Sequence, residues 1–352
     1  MKKIILFIVI LLGTCGCYDY QEINNMAIIV GIGIDYQDEE YQMTYEILNI
    51  QKNNESGSQP DKSYTVTGNG KTITEVVVNA ETKIAKKASF SHLQLMLIGN
   101  NLATHGISDM ADYFLRNNKI TNNFYMVLCN NVTPEQVLGY KSKSEQINTT
   151  AIFNLLKTDN TNISIDTKDQ FDYQMAKLKE NMGDIVIPSI TINKEIDASN
   201  LAVFKGDKFK YYLSNEEEQT YGLILRKIKN NSITDDIGTI EVNHNKSGLD
   251  YKDDKVNINI QVLAKLERIN DSEIYLKNND DLAKLENSFI SNIEEGINYL
   301  LTRAKDNDCD ILGAKKVIYL SKPNTDLNKD IEYQIKINLH INRGGSLYEE
   351  LT

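Results

Sequence analysis

Two cysteines near the start of the chain, Cys15 and Cys17, are the residues best placed for covalent chemistry. They follow Lys2-Lys3 and an unbroken apolar run of nine residues, Ile4 to Leu12. As a helix this run would span roughly 13 Å, under half of the ~30 Å hydrocarbon core of a bilayer, which favours a signal peptide over a permanent span. A thiol directly after such a run is typical of a bacterial lipoprotein, with an ordinary secretory signal as the alternative.

The two thiols match the lipoprotein cleavage motif differently. Cys17 follows Gly16, as the motif requires, but Thr14 lies three residues earlier, where Leu is usual. Cys15 has Leu12 three residues earlier, but it follows Thr14 directly. Modification of either cysteine would attach a diacylglyceryl group, whose two chains hold a protein on a membrane far better than one acyl chain does.

Composition and charge exclude several classes of protein. With 41% hydrophobic and 25% charged residues, the 352-residue chain has the composition of a globular protein, and its length suggests two or three domains. The net charge is −11, and removal of Lys2 and Lys3 with the signal peptide takes it to −13. Such a surface repels nucleic acid and anionic lipid head groups, so we expect a covalent membrane anchor.

The remaining residues offer little chemistry. Gly31-Ile32-Gly33 lacks the third glycine and the following helix of a dinucleotide-binding loop, so it is interpreted as a strand with small residues. No Gly-x-Ser-x-Gly elbow, phosphate-binding loop or zinc-protease helix is found. The histidines lack convincing metal-ligand spacing, and they are His92, His105, His244 and His340. The sequence therefore predicts a protein without enzyme activity, metal or other cofactor.

Hydrophobic periodicity predicts strands interleaved with helices in the first half of the chain. The predicted strands are 26–35, 41–50, 93–98, 123–129 and 185–190, and the predicted helices are 72–87, 107–116, a helix from Pro134, 145–157 and 171–182. The polar runs 53–62 and 158–170 are predicted to be loops, and residues 193–200 the seam between the two halves. Cys129, at the end of a strand, is expected to be buried and unpaired with Cys309.

The second half is predicted to open with a hairpin and to contain one long helix. The predicted strands are 201–205, 208–213, 256–266, 315–320 and 331–341, and the long helix is 281–306. A further helix, capped by Asn215, carries Glu216, Glu217 and Glu218, interpreted as a solvated helix start and not a metal site. The predicted fold class is α+β, with several lobes and mixed or antiparallel-rich sheets, each packed with helices.

Several phrases together resemble one family, the C-subunit lipoproteins of spore germinant receptors, known as the Ger(x)C family. The first phrase runs Cys17-Tyr18-Asp19-Tyr20-Gln21-Glu22-Ile23-Asn24, with Tyr18 where the family has Trp, into an apolar strand that contains Gly31, Gly33 and Asp35. Others are Ser91-His92-Leu93 before a strand ending Ile98-Gly99, the phrase Leu102 to Leu115, and Asp308-Cys309-Asp310-Ile311-Leu312-Gly313. They occur in the family's order over nearly the whole chain.

The resemblance implies specific sites and boundaries. It favours Cys17 over Cys15 for lipid attachment, which makes 1–16 the signal peptide. It implies a germinant-receptor region over 17–195, containing two α+β lobes, and a C-terminal α+β domain over 200–352. The implied signature residues, with structural or interaction roles, are Asp19, Glu22, Ile23, Gly31, Gly33, His92, Asp310 and Gly313. His92 is interpreted as a structural hydrogen-bonding residue.

The resemblance also implies a location and partners. It places a non-catalytic subunit on the outer face of the spore inner membrane, in complex with a polytopic A subunit and a transporter-like B subunit. The alternative function is a solute-binding lipoprotein of a transporter, which would need a cleft lined by aromatic and charged residues. The chain has nineteen tyrosines that could line such a cleft. An extracytoplasmic hydrolase is a third hypothesis, disfavoured by the missing catalytic motifs.

Overall fold

The computed structural model describes residues 25–49, 62–141, 145–157, 170–180, 182–198, 200–225, 232–234, 237–269, 279–327 and 329–342. Over these ranges the chain combines helices with three sheets. The strands are β1 Met26–Gln37, β2 Glu40–Leu48, β3 Ser63–Gly70, β4 Lys87–Ser89, β5 Leu95–Ile98, β6 Tyr125–Cys129, β7 Val186–Ile187, β8 Ser189–Asn193, β9 Glu195–Ala198, β10 Ala202–Lys205, β11 Lys208–Tyr212, β12 Ser232–Thr234, β13 Gly238–Lys252, β14 Lys255–Ile269 and β15 Tyr333–Asn342. The helices are α1 Ile73–Glu81, α2 Asn100–His105, α3 Ser108–Arg116, α4 Pro134–Leu138, α5 Asn148–Lys157, α6 Phe171–Glu180, α7 Asn215–Leu225, α8 Asn279–Asp306 and α9 Ala314–Ser321.

The largest sheet is built around β1. Its strand order is β3-β2-β1-β5-β6-β8-β9, and β4 pairs with the start of β1. β1 runs antiparallel to β2 and parallel to β5, and β5 runs parallel to β6. The β1–β2 connection is a two-residue turn, Asp38-Glu39, in which both residues have positive φ, the conformation that matches the twist of a hairpin.

Helices cover both faces of this sheet. Ile32 and Ile34 of β1 are fully buried in the larger core, together with side chains from α1, α2 and α3. On the opposite face, Val137 and Leu138 of α4 and Ile152 of α5 pack on β5 and β6. The central strands are therefore buried on both sides, which explains why β1 and β5 have continuous apolar sequences.

A small sheet of order β11-β10-β7 lies between the two largest cores. The hairpin β10–β11 was predicted to open the second half, and β10 pairs with β7 of the first half. Along β10, Ala202 and Phe204 pack into the first core, whereas Val203 packs into the second. One strand thus joins the hydrophobic packing of both halves.

The second half is a four-stranded sheet covered by α8. Its order is β12-β13-β14-β15, with a long antiparallel β13–β14 hairpin and a parallel β14–β15 pair. Helix α8 is the long helix predicted for 281–306. Its apolar stripe, including the buried Phe289, Ile293 and Ile297, packs on the alternating apolar face of β14 and β15.

Several predicted elements are corrected. Residues 315–320, predicted as a strand, lie in helix α9. Ala314 and Ile318, four residues apart, lie on one helical face and pack against Val256, so tertiary burial overrides the β-propensity of this segment.

Other differences concern where the predicted elements end and which elements the sequence did not predict. The first helix ends at Glu81 instead of 87. Strands β3, β4, β9, β12 and β13 and helix α2 were not predicted. β9 occupies half of the predicted seam at 193–200 and pairs with β8, so the large sheet extends to Ala198. The predicted loops fall almost entirely outside the described residues, and the domain limits stay predictions.

Candidate functional site

The predicted site residues do not come together in one place. Five lie outside the described residues, and they are Cys15, Cys17, Asp19, Glu22 and Ile23. The others fall at three separate locations: Gly31 and Gly33 on β1, His92 in the turn before β5, and Asp310 with Gly313 before α9.

Asp310 and Gly313 shape the start of helix α9. The buried Asp310 carboxylate accepts hydrogen bonds from the backbone N–H of Ala314 at 2.8 Å and of Lys315 at 2.9 Å. Gly313 precedes the helix with φ of +70°, a conformation that a residue with a Cβ adopts at a cost. The late signature phrase thus satisfies N–H groups that the first turn of a helix leaves without partners.

Asp184, which the sequence analysis did not single out, connects this phrase to the rest of the chain. One carboxylate oxygen accepts from the N–H of Asp310 at 2.6 Å, and the other accepts from the N–H of Gly206 at 3.0 Å. The N–H of Asp184 also donates to the carbonyl of Asp310 at 2.9 Å. We call Asp184, Gly206 and Asp310 the junction, because they join three segments distant in sequence.

Lys205 adds charge to the junction. Its ammonium lies 3.8 Å from Asp184 and 3.2 Å from the exposed Asp308 carboxylate. Burial alone would lower the pKa of Lys205, but the neighbouring Asp184 and Asp308 outweigh it and raise that pKa. Asp184 follows Gly183 directly before an apolar strand, and this sequence resembles an ordinary strand entrance, so it gave no signal of these contacts.

The cysteines of the described chain are unsuited to nucleophilic chemistry. Burial, followed by the charge of Asp184, raises the pKa of Cys309 to about 11. Burial also raises the pKa of Cys129, which is fully enclosed in the core. Both thiols are free, as expected, and both stay protonated at neutral pH, whereas a reactive cysteine requires a lowered pKa.

Gly31 and Gly33 let helices approach β1 closely. A Cβ on Gly31 would lie 2.0 Å from Oγ1 of Thr149 in α5, and one on Gly33 would lie 2.6 Å from Cβ of Pro134 in α4. Real Cβ atoms do not tolerate such distances. The two signature glycines are therefore explained by helix packing on this face of the sheet, in agreement with their interpretation as a strand with small residues.

Glu46 lies beside these glycines and is completely buried. Its carboxylate accepts hydrogen bonds from Ser63 Oγ at 2.7 Å, from the N–H of Asn148 at 2.9 Å and, through the other oxygen, from Thr149 N–H at 2.8 Å and Oγ1 at 2.5 Å. A negative charge on β2 thus meets the positive end of α5. The sequence analysis predicted a strand over 41–50 but did not indicate what covers the face of this strand that carries Glu46.

Asp35, at the end of β1, has a comparable role. It accepts from the N–H of Leu102 in α2 at 3.1 Å and from that of Tyr36 at 2.8 Å. A Cβ on Gly99 would lie 2.0 Å from Cγ of Asp35, so the absence of a side chain there makes room for the carboxylate. Burial raises the pKa of Asp35. His92, by contrast, is exposed, and its ring has no hydrogen bond within the described residues.

The acidic triplet Glu216-Glu217-Glu218 at the start of α7 contradicts another prediction. Glu216 is exposed, but Glu217 and Glu218 are buried, so the interpretation as a solvated helix start was wrong. Ser214, and not Asn215, caps α7: its Oγ accepts from the N–H of Glu217, whose carboxylate accepts from the N–H of Ser214.

The two buried glutamates hold other segments against α7. Glu217 also pairs with Arg303 of α8, and Glu218 accepts from the N–H of Leu201. Both partners, Arg303 and Leu201, are distant in sequence, so local sequence could not reveal these contacts.

The residues that the structure describes contain no group of three or more His, Cys, Asp or Glu side chains that could hold a metal ion. Of the helices described, each is too short or too polar to cross a membrane.

The chain matches two protein-family models in succession. Residues 19–192 match the model described as "Spore germination protein N-terminal domain", and residues 199–345 match "Spore germination B3/ GerAC like, C-terminal". Together these matches cover most of the chain.

Individual proteins are similar over comparable lengths. Spore germination protein KC of Bacillus subtilis (strain 168) is 24% identical over 363 residues, which cover 92% of this chain and 89% of that protein. The putative spore germination protein YfkR of the same organism is 23% identical over 392 residues and covers 100% of both chains. A solved structure, the crystal structure of the GerBC protein, superposes with a TM-score of 0.53 at 18% identity, covering 88% of this chain and 96% of that one. This likeness confirms the α+β fold class.

Proposed function

Because the chain belongs to the Ger(x)C family of spore germination proteins, we propose that it is the lipoprotein C subunit of a nutrient germinant receptor. In this proposal it is held on the outer face of the spore inner membrane and acts in a complex with a polytopic A subunit and a transporter-like B subunit. The observation that carries the proposal is the succession of the two family matches, over 19–192 and 199–345.

A lipid on Cys17 would hold the folded part of the protein close to the membrane. From Cys17 to Met26, where β1 begins, the chain advances by nine residues, which span roughly 30 Å when fully extended. A net charge of −13 after removal of the signal peptide disfavours electrostatic binding to anionic lipid, which supports a covalent anchor. Confinement close to the membrane would raise the effective concentration of the protein relative to its membrane partners, so modest contacts would suffice for assembly.

The proposed subunit acts by contact and not by catalysis. Its buried carboxylates Glu46, Asp184 and Asp310 bind backbone N–H groups, which accounts for their burial structurally. The thiols of Cys129 and Cys309 have raised pKa values. These features support an interaction subunit.

Co-purification tests the complex. A tagged copy of the protein is purified from detergent-solubilised spore inner membrane, and its companions are identified by mass spectrometry, with an untagged strain as the control. We expect two polytopic subunits of the germinant-receptor type. Recovery of a permease with its ATPase would instead favour a solute-binding lipoprotein, and recovery of the protein alone would contradict the proposed complex.

Two matched cysteine variants test the anchor. We expect Cys17→Ala to lose incorporation of radiolabelled palmitate, to leave the membrane fraction and to slow germination. Cys15→Ala has the same chemical change two residues away and should keep the label and the membrane association. If Cys17→Ala stays labelled and membrane-bound while Cys15→Ala does not, Cys15 is the lipid attachment site and the assignment to Cys17 is wrong.

A further inference from the structure

Strand β15 lies at an edge of the second sheet. In the part of the chain that the structure describes, β15 pairs with β14 on one side and with no strand on the other. The N–H of Val256 in β14 donates to the carbonyl of Glu332 at 2.9 Å, which fixes the register of this parallel pair. Successive residues of a strand direct their backbone groups to opposite sides. The even-numbered residues of β15 therefore face β14, and the odd-numbered residues face away from it.

Most of the outward backbone groups of β15 are unpaired. The exception is Ile341, whose N–H donates to a carboxylate oxygen of Glu286 in α8 at 2.8 Å. The outward N–H groups without a hydrogen-bond partner among the described residues are those of Tyr333, Ile335, Ile337 and Leu339. We call residues 333–339 the free edge. A row of unpaired backbone groups of this kind is a template for a further strand.

A groove of about 430 Å³ lies along the free edge, between β15 and α8. Ile335 and Ile337 of β15 and Ile290 of α8 line this groove and are half-buried. By contrast, Leu339 and Ile341 at the end of the strand are buried. Helix α8 thus covers the end of β15 completely but its middle only in part. Every second side chain of an added strand would point into the groove and complete the burial of these isoleucines.

The opposite face of the free edge carries a positive charge. The exposed Lys336 lies at its centre and forms no ion pair with the described residues. In an antiparallel dimer of this chain that used the whole free edge, the two copies of Lys336 would lie directly opposite each other. Like charges in that position are destabilising, and an edge lysine is a common protection against self-pairing. A strand with an acidic residue opposite Lys336 would avoid this repulsion.

We propose that the free edge binds an extended segment of another protein in which apolar residues alternate with acidic ones. The segment adds a fifth strand to the sheet. Its apolar side chains enter the groove beside Ile335 and Ile337, and its acidic side chains lie on the opposite face, near Lys336. Main-chain hydrogen bonds supply affinity in such strand addition, and the alternating side chains supply specificity. The inference concerns a surface of this chain and does not depend on the proposed receptor complex.

Calorimetric titration of the purified full-length protein in detergent tests the proposal. The probe is the end-blocked peptide Glu-Ile-Glu-Ile-Glu-Ile-Glu, which is as long as the free edge and has the same alternation in either strand direction. The control peptide, Glu-Glu-Ile-Ile-Ile-Glu-Glu, has the same composition and charge without the alternation. We expect saturable binding of the probe with a Kd below about 1 mM, and binding of the control peptide weaker by roughly tenfold or more. Absence of saturable binding, or equal binding of both peptides, would overturn the proposal.

Two substitutions at one position test the backbone contact. Ile337→Ala and Ile337→Pro both remove the isoleucine side chain from the groove, but only proline also removes the outward N–H. Proline is tolerated where the N–H of an edge strand faces away from the sheet, so both variants should fold, which melting by circular dichroism checks. We expect Ile337→Pro to bind the probe more weakly than Ile337→Ala by roughly fivefold or more, because one main-chain hydrogen bond is lost. Equal binding by the two folded variants would contradict strand pairing.

Charge exchange at the exposed Lys336 tests the other face, and it decides the matter if Ile337→Pro does not fold. Lys336→Glu should weaken binding of the probe by roughly fivefold and strengthen binding of Lys-Ile-Lys-Ile-Lys-Ile-Lys by a similar factor. Lys210→Glu is the matched control, because it makes the same change at an exposed position of β11, which lies at the edge of another sheet. If Lys336→Glu binds both peptides as Lys210→Glu does, the proposal is wrong.

Light scattering of the protein without peptide tests the other possible occupant, a second copy of this chain. We expect the protein to be a monomer, because self-pairing would oppose the two Lys336 side chains. A dimer that Ile337→Pro converts to a monomer would assign the free edge to a second copy and overturn the proposed partner.

Discussion

Replacement of Glu46 by Gln changes one atom of the side chain, and we expect it to destabilise the protein strongly. The carboxylate is completely buried and has four donors around it, two of which are the backbone N–H groups of Asn148 and Thr149 at the start of α5. The two N–H groups bind different oxygens. Whichever way the new amide is oriented, its NH₂ group therefore faces a backbone donor. The hydroxyls of Ser63 and Thr149 can rotate to compensate, but the N–H groups cannot.

The expected magnitude follows from these contacts. A buried N–H left without an acceptor costs about 1–3 kcal/mol, and the remaining bonds lose the strength that a charged acceptor gives them. Loss of the negative charge at the helix start costs about 0.3–2 kcal/mol more. Relief from burying a charge offsets part of this. We therefore expect the free energy of unfolding to fall by about 3 kcal/mol, which corresponds to a decrease in Tm of roughly 5–10 °C for a cooperative unit of this size.

Thermal melting by circular dichroism, with hydrogen exchange of a peptide covering α5, provides the measurement. Glu135→Gln is the matched control, because Glu135 is exposed and accepts one hydrogen bond from a threonine hydroxyl, at 3.0 Å. The control should melt within about 1 °C of the wild type, since exposed substitutions have small effects. If Glu46→Gln melts as the control does and α5 exchanges no faster, the reasoning about opposed donors is refuted.

Two further substitutions test the buried glutamate of α7 and the glycine contact. Burial raises the pKa of Glu218 to about 7 from 4.5, so the folded state holds this proton longer than the unfolded chain and stability falls as pH rises between these values. Glu218→Gln should therefore stabilise the protein at pH 8 by about 3 kcal/mol but have little effect near pH 4 in melting experiments, with Glu216→Gln, at an exposed position of the same helical turn, as the matched control. Gly31→Ala, whose methyl group would lie 2.0 Å from a side-chain oxygen of α5, should lower the unfolding free energy in denaturant titrations by about 1–3 kcal/mol. Gly139→Ala, at an exposed position with φ of −88°, should lower it by much less, and equal effects would contradict the packing argument.

The sequence predicted the elements whose burial is regular along the chain. Strand β1 was recognisable because both of its faces are covered, and α8 because its apolar stripe follows a helical period over most of its 28 residues. The alternation of β14 and β15 likewise reports a sheet with one face covered by a helix. In each case the partner surface is uniform, so local periodicity carries enough information.

Elements whose conformation depends on distant partners could not be predicted in this way. β3 and β13 contain many polar residues and little alternation, and they are strands because β2 and β14 provide complementary ladders. Helix α9 has the β-branched residues of a strand, but Asp310 caps its start and Ile318 packs on the neighbouring sheet. Local propensity is weak compared with such tertiary interactions.

The same contrast applies to the site residues. Those in the family phrases could be selected from the sequence, whereas a residue that depends on distant contacts could not. Gly31, Gly33, Asp310 and Gly313 were selected by family resemblance, and the structure gives each a physical role at a helix approach or a helix start. Asp184 was missed because the two donors to its carboxylate, the N–H groups of Gly206 and Asp310, are contributed by segments far away in sequence. A buried carboxylate that binds backbone donors has no local sequence signature.

The position of β1 determines what a lipid on Cys17 would hold. β1 is the first described strand after the proposed anchor, and it is paired with β2 on one side and with β4 and β5 on the other. A central strand cannot detach without breaking both ladders and exposing Ile32 and Ile34, so the anchor would restrain the whole sheet and not a mobile edge. The junction and β10 then connect this sheet to the second half. In the proposed receptor, a displacement of the C-terminal half relative to the membrane would therefore have to strain the hydrogen bonds of Asp184, which makes this residue the place where coupling between the halves is best measured.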